Sequence, residues 1–156
     1  MRVSVLIVAA ALAACRASGQ PSAAPVTSPD AGLKPQITAQ LSRAAGDWNR
    51  GDLDAFLSDY APDSTTTFVD GFRSRRGFAW IREHYAPRFT GQARRDSLHF
   101  EEIETRALGP SFALVTARFI LERGGRTTAS GPFTLVMERR PEGWKILHDH
   151  SSSDPR

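Results

Sequence analysis

The spacing of apolar residues divides the chain into an opening set of helices and a closing run of strands. Ile37, Leu41, Ala44, Ala45 and Trp48 recur at helical spacing and form one stripe of a first helix. That helix should start near Pro35, where a missing N–H costs nothing, and end at Gly51. Asp52 is placed to cap a second helix, whose Leu53, Phe56, Leu57 and Tyr60 line one side before Pro62 stops it. Thr65 to Val69 reads as a short β-branched strand with Asp70-Gly71 as its turn. A third helix fits Arg76 to Ala86, with Phe78, Ile81 and Tyr85 on one side, Trp80 and His84 beside them, and Pro87 at its end.

From Leu98 onward the period changes from helical to alternating. In Leu98 to Leu108 the alternation slips, because Leu98 and Phe100 share one parity and Ile103 takes the other; a bulge near Glu101-Glu102 reconciles them. Three strands of a meander follow, Phe112–Leu121, Thr127–Arg139 and Trp144–Ser152, separated by Gly124-Gly125 and Pro141-Glu142-Gly143. Gly131-Pro132 marks a bulge or bend in the second of them. Strict alternation in the last puts Trp144, Ile146, His148 and His150 on one face and Lys145, Leu147, Asp149 and Ser151 on the other. Helices first and strands afterwards argue an α+β domain: three N-terminal helices packed on one face of a curved, mostly antiparallel sheet. Phe112–Leu121 is apolar on both parities, so its second face also needs cover. A second copy of the sheet would supply it, giving a homodimer through the sheet's back; a sheet coiled enough to bury both faces is the alternative.

The first fifteen residues do not fit this domain. Arg2 precedes an apolar run from Val3 to Ala14, the form of a secretion signal and too short for a permanent span, which needs roughly 20 residues. Leu12-Ala13-Ala14-Cys15 resembles the bacterial lipobox, which implies cleavage before Cys15 and lipidation of that cysteine. An ordinary signal peptide would instead leave the chain's one cysteine unpaired in an oxidising compartment. The same resemblance implies, with Arg16 rather than aspartate after the cysteine, the outer membrane facing the periplasm as the cell-envelope address. Residues 16–32, with Pro21, Pro25 and Pro29 among small polar residues, form a disordered tether, leaving residues 33–153 as a single domain. The 156 residues carry 20 basic and 17 acidic side chains; without Arg2 the net charge is +2, too small to argue for nucleic acid. Seven arginines from Arg73 to Arg95 read as a solvated face.

Trp48-Asn-Arg-Gly-Asp-Leu-Asp-Ala-Phe56, Tyr60-Ala-Pro-Asp63, Arg76-Gly77-Phe-Ala-Trp-Ile81-Arg82 and the ending Gly143-Trp-Lys-Ile-Leu-His-Asp-His-Ser-Ser152 resemble, in this order, the nuclear-transport-factor-2-like superfamily. Within it the chain is most similar to the SnoaL-like and ketosteroid-isomerase-like domains. The last strand is also similar to that of the calcium/calmodulin-dependent kinase association domain. The resemblance covers about Pro35 to Ser153 and implies a cone-shaped half-barrel, often dimeric, with a pocket between helices and sheet. Aligned on Gly51-Asp52-Leu53, the isomerase's catalytic aspartate falls on Phe68 and its oxyanion tyrosine on Ala44. Neither can serve, so steroid isomerisation by that mechanism is not expected.

The fold hosts enzymes and non-enzymes alike, so function has to be argued from residues. His148 and His150 are candidates for a polar cluster at the pocket mouth that binds an anionic or carbonyl compound; a hydrogen-bonded structural pair is the other reading. Arg118 could clamp a carboxylate or form a salt bridge, and Trp48 and Tyr60 could line the pocket or simply pack. Asp70 shares strand parity with Phe68 and is the one candidate acid or base in that strand. No metal is expected, since two histidines on a strand fall short of a zinc ligand set, and no cofactor motif appears. Three readings remain: a lipid-anchored pocket protein for a small organic molecule, an acid–base enzyme using Asp70 or His148 and His150, and a structural or interaction dimer with a filled cavity. A cavity of roughly 300 Å³ or more would exclude the third.

Overall fold

The structure, a computed structural model, describes residues 32–90 and 95–155. The signal sequence, Cys15 and the tether up to residue 31 lie outside the described residues, as does Arg94 of the arginine run. Helix α1 (Leu33–Arg50) is followed by α2 (Leu53–Leu57), β1 (Thr67–Asp70), β2 (Arg73–Arg76) and α3 (Phe78–Tyr85), the last continued by a 3₁₀ turn at Ala86–Arg88. The remainder is strand: β3 (Ser97–Ala107), β4 (Phe112–Arg123), β5 (Arg126–Arg140) and β6 (Gly143–Ser151). This is the α+β arrangement expected, helices packed on a curved, unclosed sheet. The strand order is β2-β1-β6-β5-β4-β3, antiparallel throughout except for the parallel pair β1 and β6.

Helix α1 buries its whole apolar stripe, Ile37, Leu41, Ala44, Ala45 and Trp48, together with Leu33. Each fully buried large side chain stabilises the fold by roughly 1.5–3 kcal/mol. Gly51 ends the helix in the left-handed conformation at φ 79°, and its N–H caps the carbonyls of Asp47 and Trp48. The Asp52 carboxylate then accepts from the Ala55 N–H at 3.0 Å, so α2 begins as the sequence suggested. Asn49 docks the end of α1 on β3 by exchanging two hydrogen bonds with the Leu98 backbone, at 2.7 and 3.0 Å. Trp48 Nε1 donates to the Asp96 carbonyl at 2.9 Å. At the other end of α1, Lys34 reaches Glu104 and Gln40 donates to the Trp144 carbonyl, so the helix starts beside the first residue of the β6 core.

Strand register shifts in β3, at Leu121–Glu122 of β4 and in β6. The bulge in β3 falls at Glu101 to Glu104, with Glu102 at φ 53°. Gly131-Pro132 is not a bend, because Arg118↔Pro132 and Phe119↔Gly131 pair in regular register with β4. The glycine is required instead by the chain after β6, which crosses β5 there. A Cβ on Gly131 would lie 1.8 Å from the Ser152 carbonyl oxygen. Ser152 N–H donates to Pro132 O at 3.0 Å and Asp154 N–H to Ser130 O at 2.8 Å, fixing the crossing. Finally, β6 itself is irregular. Val136 pairs with His148 while Met137 pairs with Ile146, so Leu147 is an extra residue and the faces of β6 exchange at that point.

β2 was not anticipated, since Arg73-Ser74-Arg75-Arg76 has no apolar face; all four residues are exposed, and backbone pairing with β1 holds them. Several arginines of the run reach partners: Arg82 pairs with Asp54, and Arg75 of β2, Arg88 and Arg95 lie over the rings of Trp80, Tyr85 and Phe89. On β4, Ala113, Val115 and Ala117 are buried under the helices, whereas Leu114 and Ile120, with Val136 of β5, remain half-buried on the opposite face. Among the described residues no helix is long and apolar enough to cross a membrane.

The close crossing at Gly131 makes a direct prediction. Gly131→Ala should lower stability by roughly 3 kcal/mol, the upper end for an overpacked site, because backbone rather than a flexible side chain is in the way. Urea denaturation checks it, and an unchanged midpoint would mean that the segment after β6 can move aside freely.

Candidate functional site

Between the helices and the inner face of the sheet lies a cavity of about 170 Å³. Its wall is rich in aromatic rings: Trp48 from α1, Phe56 from α2, Tyr85 from α3, Phe68 from β1, Phe119 from β4 and Phe133 from β5. Several rings meet edge to face, as in Trp48–Phe56 at 5.4 Å and Phe56–Tyr85 at 5.1 Å between centroids. Polar groups line it at the mouth and along the inner wall. The exposed Asp70 and Arg88, with Ser152 and Ser153, stand at the mouth, where β1 and β6 end. His84 stacks on Trp80 at 5.0 Å and accepts from Arg88 Nη1 at 3.3 Å. Burial lowers its pKa and Arg88 adds to that, against the pull of Asp70.

At the inner wall is a buried hydrogen-bonded group. Tyr60 is held after α2 by backbone bonds to β6, Ala61 N–H to Ile146 O at 2.9 Å and Ile146 N–H to Asp59 O at 2.7 Å. Its hydroxyl donates to Asp149 Oδ2 at 2.6 Å, and Ser151 Oγ donates to Asp149 Oδ1 at 2.7 Å. Tyr85 Oη lies 3.4 Å from Tyr60 Oη. Asp149 is only 5% exposed, and burial pushes its carboxyl up from 3.8 to about 6 despite the two hydroxyls that favour the charged form. Burial first, then the neighbouring carboxylate, keeps Tyr60 protonated far above the usual phenol range; Tyr85 moves the same way. A second buried carboxyl, Asp59, is also raised to about 6 by burial, opposed by Arg43 and Lys145. Arg43 pairs with one oxygen of Asp59, and the other, Oδ2, is buried without a partner.

The candidates named from the sequence divide sharply. Tyr60 and Trp48 line the cavity, and Asp70 reaches its mouth. His148 and His150 do not share a face with Ile146. Beyond the extra residue Leu147 the parity inverts, so Asp149 and Ser151 turn inward and both imidazoles turn outward. His150 is exposed; His148 Nδ1 lies 2.6 Å from Thr67 Oγ1, its pKa lowered by burial and then by His150. With the imidazoles outside, the reason for expecting an anionic ligand disappears. Arg118 sits on the outer parity of β4 and pairs with Asp154. Phe68 and Ala44 both line the cavity, an apolar wall where the isomerase alignment would place its acid–base pair. Among the described residues no three His, Cys, Asp or Glu side chains converge in a metal-ligating group. Asp149, Ser151 and Tyr85 were missed; the adjacent apolar residues Ile146-Leu147 were the only trace of the slip that turns the first two inward.

A family profile described as SnoaL-like domain matches residues 37–155. Among solved structures, the chain is similar to an NTF-2 like protein of unknown function from Shewanella oneidensis, at 30% identity, TM-score 0.68, covering 76% of this chain and 97% of that one. It is also similar to a proposed dehydratase of the NTF2-like family from Streptomyces avermitilis, at 18% identity and TM-score 0.67, covering 83% and 100%. A proposed calcium/calmodulin-dependent protein kinase II association domain from Xanthomonas campestris gives 19% identity and TM-score 0.59, covering 77% and 86%. No curated protein matches.

The raised carboxyls set the pH dependence of stability. In the unfolded chain Asp149 and Asp59 titrate near 3.8, in the folded domain near 6. Between those values the folded state holds more protons, so stability should fall as pH rises from about 4 to 6. For Asp149 this amounts to on the order of 3 kcal/mol. Asp149→Asn should flatten its part of that slope in urea denaturation across the range; an identical slope in the variant would show that Asp149 titrates normally.

Proposed function

The chain belongs to the SnoaL-like domain family, and on that premise we propose that it is a cell-envelope binding protein whose cavity holds one small organic molecule. The observation that carries this reading is a cavity wall rich in aromatic rings that also holds the buried, hydrogen-bonded pair Tyr60 and Asp149. Such a combination gives affinity through apolar contact and orientation through hydrogen bonds. Size narrows the ligand further. A volume of about 170 Å³ lies below the range of roughly 300–1,000 Å³ typical of drug-sized ligands, yet close to the cavity of about 150 Å³ known to accept benzene. The ligand is therefore a single ring or its aliphatic equivalent, and a steroid is too large. The volume falls short of the roughly 300 Å³ that would by itself exclude a structural role; what favours binding is the buried Tyr60–Asp149 group facing that space.

A second reading is supported by Asp149 alone. A carboxyl buried in an apolar wall and poised near 6 suits proton transfer to or from a bound molecule. In that reading Asp149, hydrogen-bonded to Tyr60, takes the role first considered for Asp70, which stands at the mouth, and for His148 and His150, which face away.

The envelope address rests on the lipobox-like Leu12-Ala13-Ala14-Cys15, and the proposed homodimer on the half-buried Leu114, Ile120 and Val136 of the sheet's outer face. Cys15→Ser should release the protein from sedimenting membranes; continued sedimentation overturns the anchor. Light scattering should give twice the monomer mass, and a stable monomer overturns the dimer. For the cavity, ligand-observed NMR with benzyl alcohol should detect binding that Ala44→Phe weakens at least tenfold, because the new ring occupies the same space. Equal binding by the variant would place the ligand elsewhere.

A further inference from the structure

The hydrogen-bond directions inside the cavity restrict what the ligand can offer. Asp149 is an acceptor at both oxygens when ionised, and it already consumes the hydroxyl hydrogens of Tyr60 and Ser151. What those two hydroxyls have left to present is lone pairs. Asp59 is a second carboxyl in the same wall, with its Oδ2 enclosed by protein rather than open to the cavity. The acceptors around Asp149 call for a donor from the ligand, which a carboxylate or a carbonyl cannot provide; the neighbouring Tyr85 hydroxyl, 3.4 Å away, has Tyr60 Oη as its own acceptor.

Charge points the same way. Asp59 has Arg43 as its counter-ion, and at the mouth Asp70 and Arg88 are of opposite sign. Asp149 is different: among the described residues no lysine or arginine forms an ion pair with it, and its only nearby basic group is His150 on the other face of the strand. A buried carboxylate without a counter-ion costs several kcal/mol. Trp48, Phe56 and Tyr85 line the same cavity, and aromatic rings favour a cation over an anion at their faces.

We infer that the ligand is an organic cation, a single-ring or similarly small molecule carrying a protonated amine, whose ammonium completes the Asp149, Tyr60 and Ser151 group. The ammonium supplies both missing elements, three N–H donors and one positive charge. This inference rests on the binding function proposed above and specifies its ligand class. Its orientation follows from the wall: the apolar part lies among the aromatic rings, and the charged end lies at the inner side rather than at the mouth.

The test compares three probes of one size and three charges, benzylammonium, benzyl alcohol and benzoate, binding to the purified full chain by titration calorimetry near neutral pH. Benzylammonium should bind at least tenfold more tightly than benzyl alcohol, and benzoate should be the weakest. Asp149→Asn should abolish the preference of benzylammonium over benzyl alcohol, whatever it does to the affinity of either alone. If benzyl alcohol binds and benzylammonium binds no better, the cation assignment is wrong and the small-molecule function stands. Tighter binding of benzoate has the same meaning. If none of the three binds, the proposed function fails and the cation assignment with it. The ranking of the probes on the unaltered protein is decisive even if Asp149→Asn does not fold.

Discussion

One extra residue in a strand decides what the cavity contains. Because side chains alternate with period two, inserting Leu147 into the pairing of β5 and β6 exchanges every face beyond it. Without the bulge, the cavity would hold two imidazoles and the aspartate would face out. With it, a carboxylate enters a wall of aromatic rings, and its shifted titration, its hydroxyl partners and its unmatched charge all follow. The shape of the site comes from the packing of helices on sheet, but its chemistry comes from this register.

The bulge is compatible with the fold because β6 is held on both sides. β5 pairs with it along its length, β1 runs parallel to its second half, and the loop carrying Asp59 to Ala61 hydrogen-bonds to Ile146 just before the extra residue. Those last bonds also fix Tyr60, so the hydroxyl and the carboxylate that meet in the cavity are positioned by one stretch of backbone. Their contact brings together residues 89 apart in sequence, and no local motif announces it.

What was legible in the sequence was whatever a periodic pattern can carry. The stripe of α1, the cap at Asp52 and the bulge in β3 each leave a mark in the order of apolar and polar residues, and each is present. In β3 the slip moved Ile103 to the wrong parity and so revealed itself. In β6 it did not, because Ile146 and Leu147 are both apolar and His148, Asp149 and His150 are all polar. That segment looks the same in either register. β2 was invisible for a related reason, since Arg73 to Arg76 are exposed on both faces and nothing alternates. Gly131 was misread because its cause lies at Ser152, some twenty residues downstream, where backbone passes too close for any side chain.

The direction of α1 along the sheet has a consequence for access. Its first turns lie beside Trp144 and Glu104, whereas the opening lies at the far end of β6, beside Asp70 and Arg88. Whatever precedes Leu33 is therefore joined to the domain at the pole remote from its entrance.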